Sequence, residues 1–348
     1  MKDKKTMPAR AAEGAAGRAE LSAATGDGVI ELCGLTKDYG DGRGIFGLEL
    51  SIPRGEMMGY VGTNGSGKTT TIRHIMGFLR PDGGRVTVDG LSAREHASEI
   101  ARLIGYVPGE IAFPDLKTGT DFLKCQAEFL GLRDMSYANE LIERLQLDPS
   151  ANLKRMSKGM KQKAALVAAL MKDAPILILD EPTTGLDPLM RAAFLDIIRE
   201  EHSRGKTIFM SSHSFEELES TCDRVALISD GRIIDDCDMR EIRERPIKEF
   251  KIEFHSSEDL RRFCGEGYEI IRLQEQYDQV TIRIKATETA ALLRVLAGYR
   301  VRFISELPYT LEMHFKSILL SDRASAGDDK NKTKDPRIQI SNIKDLKG

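Results

Sequence analysis

The sequence predicts an α/β fold, a mixed sheet organised around one phosphate-binding loop, followed by a small α+β domain. Three observations carry this. Gly62-Thr63-Asn64-Gly65-Ser66-Gly67-Lys68-Thr69 fits the P-loop pattern G-x-x-x-x-G-K-[ST], between an apolar run ending at Val61 and the helix-like Thr70–Met76. Pro175-Ile176-Leu177-Ile178-Leu179-Asp180-Glu181-Pro182 sets consecutive large apolar residues before two carboxylates. Such a run is a strand buried on both faces, as in a parallel sheet. Beyond about residue 245 the pattern becomes β-α-β-β-α-β, the ferredoxin-like order.

Taken in order, residues 1–27 are Ala, Gly, Lys and Glu rich and read as a disordered tail. Val29-Ile30-Glu31-Leu32 reads as one strand and Leu35–Asp38 as a strand end entering a turn with Gly40, Gly42 and Gly44. Leu48–Ile52 alternates at period two, so it reads as a half-buried strand. Antiparallel strands therefore precede the P-loop, and Arg85–Gly90 adds another strand with its turn. Ile104–Pro108 reads as a strand stopped by its proline. Thr118–Gly131 and Tyr137–Leu147 read as helices, with Phe122, Leu123, Phe129 and Leu130 at helical spacing and the aromatics assigned to core packing. Thr207–Ser212 is an apolar strand with His213 at its end. In the second domain the expected elements are Lys248–Phe254, Ser257–Gly265, Tyr268–Leu273, Val280–Lys285, Thr287–Gly298 and Arg300–Ser305, closed by a helix over Leu311–Leu320. Residues 323–348 read as a second disordered tail. The expected domains are thus 28–245 and 246–322, with a helical segment over 110–158.

The 348 residues have room for one large domain and a smaller one, and the net charge of −3 excludes a strongly basic nucleic-acid binder. No direct nucleic-acid partner is expected. Cys33, Cys125, Cys222, Cys237 and Cys264 are scattered, which suits reduced thiols rather than a disulfide frame or zinc site. No run of about 18 apolar residues occurs and the N-terminus lacks an apolar leader, so a membrane role is expected to run through a partner.

The candidate site follows from phosphate chemistry. Gly62, Gly65 and Gly67 let the backbone fold into a nest of amides at a helix N-terminus, where anions are favoured. The phosphate-binding set is Gly62, Thr63, Asn64, Gly65, Ser66, Gly67, Lys68, Thr69 and Thr70. Lys68 supplies a cation for the β- and γ-phosphates, and the Thr69 hydroxyl an oxygen ligand for Mg²⁺. Asp180 stands at the C-terminal end of its strand, where α/β sheets bind ligands, and is placed to hold Mg²⁺. Glu181 is placed to orient and deprotonate an attacking water, and His213 to contact a γ-phosphate and that water. The other histidines form no ligand-spaced set.

The order of these pieces, together with Met156-Ser157-Lys158-Gly159-Met160-Lys161-Gln162-Lys163, resembles the ATP-binding subunits of ABC transporters over roughly residues 29–235. The resemblance implies a P-loop NTPase fold of ABC type, with an antiparallel β subdomain and a helical subdomain beside the mixed core sheet. It makes Gly62–Thr69 a Walker A loop and Ile176–Asp180 a Walker B strand with the catalytic carboxylate at Glu181. Gly185-Leu186-Asp187 becomes the D-loop, His213 the switch histidine and Tyr39 the residue stacked on adenine. It also implies a head-to-tail dimer, expected between identical chains, in which Ser157 and Gly159 of one subunit face the γ-phosphate on the other. A polytopic membrane permease is the implied partner, at the cytoplasmic face of the cell membrane. Ser157–Lys163 with Gly185–Pro188 and the small C-terminal domain look most like exporters of drugs, peptides or lipid-like molecules.

The chain departs from the family pattern at three places. Lys158 stands where a signature glycine is usual, Met160 replaces glutamine, and Gly109 stands where the Q-loop glutamine would reach the Mg²⁺ site. That leaves Glu110 as the candidate to reach the metal through water. Two alternatives stay open at this level. One is a soluble mechanical ATPase of the same fold acting on ribosomes or DNA. The other is a kinase or GTPase using the P-loop alone, which leaves Ser157–Lys163 and His213 unexplained.

Overall fold

The computed structural model describes residues 28–326; the tails expected over residues 1–27 and 323–348 lie outside it, except that 323–326 continue the last helix. Contacts divide the chain between Asp236 and Cys237, ahead of the residue-245 boundary read from composition.

The first unit begins with Gly28–Asp38 (β1) and Gly44–Pro53 (β2). The sequence suggests two strands before Gly40, but β1 is one strand of 11 residues. Its register slips between Leu32 and Leu35, where Gly34 takes φ +61°, so a bulge absorbs the break that Cys33-Gly34 makes in the apolar pattern. β2 alternates as expected, with Leu48, Leu50 and Ile52 buried and Glu49 and Ser51 exposed. With Gly83–Val88 (β4) and Leu91–Ser92 (β5) they form an antiparallel sheet in the order β2-β1-β4-β5.

The second sheet holds Met57–Val61 (β3), Ile104–Val107 (β6), Ile176–Asp180 (β7), Thr207–Ser212 (β8), Arg224–Ser229 (β9) and Arg232–Asp238 (β10), in the order β10-β9-β3-β8-β7-β6. β3, β7 and β8 are buried at every position and pair in parallel, as continuous apolar runs require. Three polar features therefore emerge side by side at the C-terminal edge: the loop after β3, Asp180-Glu181 at the end of β7, and Ser212-His213 at the end of β8.

Helices cover these strands. Lys68–Ile75 (α1) follows the P-loop and Ala97–Leu103 (α2), not anticipated from the sequence, precedes β6. A helical layer consists of Gly119–Leu130 (α3), Ser136–Arg144 (α4) and Lys158–Leu170 (α5). α3 opens with a capping box: Thr118 Oγ1 accepts from the Asp121 amide at 3.1 Å and Asp121 Oδ2 accepts from the Thr118 amide at 3.1 Å. Phe122 and Leu123 are buried, but Phe129 is 86% exposed, so its assignment to the core is corrected: it stands on the outer face of α3. Pro188–Ser203 (α6) and Phe215–Thr221 (α7) follow β7 and β8. α4 is tied to α6 by Tyr137, which donates to Glu201 at 2.8 Å, and by Arg144, whose guanidinium reaches both Glu200 oxygens at 2.6 and 2.7 Å.

The second unit opens on Met239–Arg243 (α8) and then runs Ile247–Phe254 (β11), Ser257–Cys264 (α9), Glu269–Gln274 (β12), Gln279–Lys285 (β13), Thr289–Leu296 (α10), Val301–Leu307 (β14) and Leu311–Ala326 (α11). The sheet order is β12-β13-β11-β14 with all neighbours antiparallel. Its own core joins Phe250, Ile252, Phe254, Val280, Ile282 and Ile284 to Leu260 and Phe263 of α9 and Leu292 and Leu296 of α10. The other sheet face is charged: Arg283 bridges Glu249 at 2.8 Å and Glu269 at 2.9 Å. α11 runs past the expected stop at Leu320 to Ala326.

Candidate active site

The P-loop is shaped by what it packs against. A Cβ on Gly67 would stand 2.6 Å from Ile45 Cγ2, and its φ of +114° lies outside the range other residues adopt readily, so only glycine opens α1 here. The Gly231 amide donates to the Ser66 carbonyl at 3.0 Å, pinning the loop to the turn between β9 and β10. α1 has no side-chain cap, so its first amides are left free to face an anion. Lys68 is buried and donates to the Gly62 carbonyl at 2.8 Å and the Thr63 carbonyl at 3.3 Å, which holds its ammonium across the loop.

Glu181 meets this ammonium from the other side. Lys68 Nζ is 3.5 Å from Glu181 Oε1, and His213 Nδ1 is 3.7 Å from Glu181 Oε2. The His213 imidazole foremost, and the Lys68 charge with it, hold the Glu181 carboxyl down to about 2 against the opposing effect of burial. The same contact raises the His213 imidazole above its ordinary value. Glu181 has φ +47°, a left-handed backbone that costs a non-glycine residue about 1 kcal/mol or more. That turn points its carboxylate back over the sheet edge instead of along β7.

Asp180 is fully buried, and Ser211 Oγ donates to its Oδ1 at 2.7 Å while accepting from the Glu181 amide at 2.9 Å. Asp180 Oδ2 is buried with no hydrogen-bond partner, and so is Ser66 Oγ in the P-loop. Buried polar atoms in a folded protein are nearly always paired, so orphans at a site mark where a ligand is met. One orphaned carboxylate oxygen at the strand end and one orphaned hydroxyl in the amide nest fit a divalent cation and a phosphate. The backbone of Gly109 lies against Asp180: a Cβ there would be 3.0 Å from Oδ2. Glu110 is exposed, with no hydrogen bond or ion pair among the described residues joining it to Asp180.

The remaining expected residues lie apart from this cluster. Ser157 caps α5, accepting from the Met160 amide at 3.2 Å. A Cβ on Gly159 would sit 2.6 Å from the Gly185 carbonyl oxygen, and the Lys158 stem lies along Gly185, which accounts for Lys158 without a phosphate contact. Asp187 caps α6 through the Met190 amide at 3.0 Å. Tyr39 is 49% exposed, with Lys37 Nζ 5.9 Å from its ring centre. Among the described residues, no hydrogen bond or ion pair joins Tyr39, Ser157, Gly159 or Asp187 to the P-loop. Sequence reading missed Ser211, Thr183, Glu217 and Gln162, whose buried amide donates to the Pro182 carbonyl at 2.8 Å. Gln162 lies within the quoted Met156–Lys163 segment without being singled out there, and no motif spacing marks the other three.

Comparison with known proteins places this geometry. A family profile described as ABC transporter matches residues 45–184. The chain is 32% identical to the bacitracin transport ATP-binding protein BcrA of Bacillus licheniformis, covering 62% of this chain and 72% of that protein. It is 36% identical to the Nod factor export ATP-binding protein I of Burkholderia orbicola, over 59% of this chain and 69% of that one. A solved structure described as the ATP-binding subunit of an ABC transporter superposes with a TM-score of 0.57 at 30% identity, covering 62% of this chain and 92% of that structure.

Proposed function

The chain belongs to the ABC transporter family as an ATP-binding protein, and on that premise we propose that it hydrolyses ATP to power an exporter. The observation that carries the hydrolysis reading is Glu181, held ionised between Lys68 and His213 beside the orphaned Asp180 oxygen. The export reading is supported by BcrA and the Nod factor protein, whose names describe bacitracin transport and Nod factor export. A drug, peptide or lipid-like substrate is the class we propose here.

In this reading the free amides of the P-loop and the Lys68 ammonium bind the β- and γ-phosphates, and Ser66 Oγ donates to one of their oxygens. Asp180 and the Thr69 hydroxyl would hold Mg²⁺, which supplies charge neutralisation on the phosphates. Glu181 orients a water for attack on the γ-phosphorus and accepts its proton, a contribution on the order of 10²–10⁴ in rate. His213 stays hydrogen-bonded to the water and the γ-phosphate oxygens, and Tyr39 stacks on adenine. Gly109 offers the metal no side chain, and Glu110 reaches it only through water.

Ser157, Gly159 and Asp187 lie on the face we assign to a second copy of the chain, so each ATP is closed between two subunits. No helix among the described residues is long and apolar enough to cross a membrane. A separate polytopic permease, contacted through the helical layer at the cytoplasmic face of the membrane, completes the transporter. The second unit is a ferredoxin-like accessory domain.

Glu181→Gln tests the site. It should retain ATP binding, lose at least about 10²-fold in hydrolysis and accumulate as an ATP-bound dimer by size-exclusion chromatography. Hydrolysis at the parent rate would refute the assignment. Affinity purification from gently solubilised membranes tests the partner: a stoichiometric polytopic protein is expected, and recovery with ribosomes or DNA instead would refute the transporter.

A further inference from the structure

Glu217 is a buried carboxylate that the reaction as described does not use. It lies in the first turn of α7, is 5% exposed, and belongs to no motif in the sequence. Its partners come from three separate segments. Oε2 accepts from Thr183 Oγ1 at 3.0 Å and from Ser212 Oγ at 2.9 Å, and Oε1 lies 3.3 Å from Arg191 Nε on α6.

Those partners bracket the two side chains assigned to hydrolysis. Thr183 is two residues after Glu181, in the turn where the Thr184 amide donates to the Glu181 carbonyl at 3.1 Å. Ser212 and Ser214 flank His213, and the Ser214 amide donates to Ser212 Oγ at 3.0 Å, so His213 stands at the tip of a closed turn. Ser214 Oγ in turn accepts from the Glu217 amide at 3.4 Å. One buried carboxylate thus fastens the Glu181 turn to the His213 turn, with its charge matched by Arg191 on the helix that Asp187 caps.

From this geometry we infer that Glu217 is a positioning residue for ATP hydrolysis, fixing Glu181 and His213 relative to each other through Thr183 and Ser212. The inference rests on the hydrolytic roles given to Glu181 and His213. Glu217 touches neither side chain, so it acts by placement. Misplacing a reacting group by about 1 Å can cost on the order of 10²-fold in rate while leaving binding largely intact. The Glu217 charge also favours the protonated His213 imidazole, after the larger effect of Glu181.

The test compares Glu217→Ala, Glu217→Gln and Thr183→Val in the full chain, with Glu181→Gln run beside them. Glu217→Ala should lower kcat about 10- to 100-fold with KM and ATP affinity within about threefold. Glu217→Gln keeps an oxygen that accepts from both hydroxyls and should recover most of kcat. In both variants the His213 imidazole, followed by NMR, should titrate at lower pH than in the parent. If Glu217→Ala does not fold, Thr183→Val carries the test, since it removes one link and should lower kcat without changing ATP affinity. A Glu217→Ala kcat within about twofold of the parent would overturn the inference, as would parallel loss of kcat and ATP affinity without recovery in Glu217→Gln. Hydrolysis surviving in Glu181→Gln would instead overturn the underlying reading of the site, whatever the Glu217 variants do.

Discussion

At the scale of single residues, the site is defined by what its polar atoms lack. Ser66 Oγ is buried and unpartnered, so it costs stability, and in the proposed reading a bound phosphate supplies its partner. Ser66→Ala should therefore leave the melting temperature unchanged or higher. It should also weaken binding of a non-hydrolysable ATP analogue about 10- to 100-fold in calorimetric titration, the loss of one charge-assisted hydrogen bond. His213 gives the second residue-scale prediction. Its titration is shifted up by Glu181 first, with Glu217 acting in the same direction and Lys68 against it. A raised folded value means that the stabilisation is complete below the ordinary 6.5 and is lost as pH rises through the folded value. The stability difference between the parent and His213→Gln, measured by urea unfolding, should be largest below pH 6.5 and shrink above it. A difference that grows with pH would contradict the pairing.

At the scale of elements, the links between α4 and α6 differ in worth. Tyr137 donates to Glu201, a carboxylate buried to 1% exposure that also binds Lys206 and Arg204. Arg144 meets Glu200 at the surface, where ion pairs contribute about 0–1 kcal/mol. Tyr137→Phe should cost about 1 kcal/mol in urea unfolding, and Arg144→Ala less. The elements were also where the sequence was most and least legible. Strands with one uninterrupted environment, such as β3, β7 and β8, were plain because every position is buried and each carries a run of large apolar residues before its polar end. The bulge at Gly34 was not, because a break in alternation reads the same whether a strand ends or slips one residue. Phe129 fits the helical period of its neighbours yet faces outward: periodicity marks a stripe but not its width. Within the proposed site, Lys68, Asp180, Glu181 and His213 could be singled out because each stands in the glycine loop or where an apolar run gives way to polar residues. Ser211, Gln162 and Glu217 were not, since their roles arise from contacts between segments far apart in the chain.

At the scale of the whole molecule, two cores with no shared residues divide the work. Phe263 is 1% exposed and packs at 5.2 Å on Phe254 within the second core. Phe263→Ala should cost that unit about 3–5 kcal/mol, visible in differential scanning calorimetry, with ATP affinity unchanged in titration. A matching loss of ATP affinity would show that the accessory unit supports the nucleotide site.

The left-handed backbone at Glu181 also limits how this position can evolve. Single-nucleotide changes of a glutamate codon reach glutamine, aspartate, lysine, glycine, alanine and valine. A φ of +47° suits glycine, is tolerated by aspartate, and is poorly suited to valine, whose branched Cβ crowds the carbonyl. With Glu181 as the proposed base, the glycine descendant is the one this backbone favours, and it would keep the fold and bind ATP while failing in hydrolysis. On that proposed role, a short mutational path leads from this ATPase to a nucleotide-gated clamp, and the backbone geometry at one residue helps keep it open.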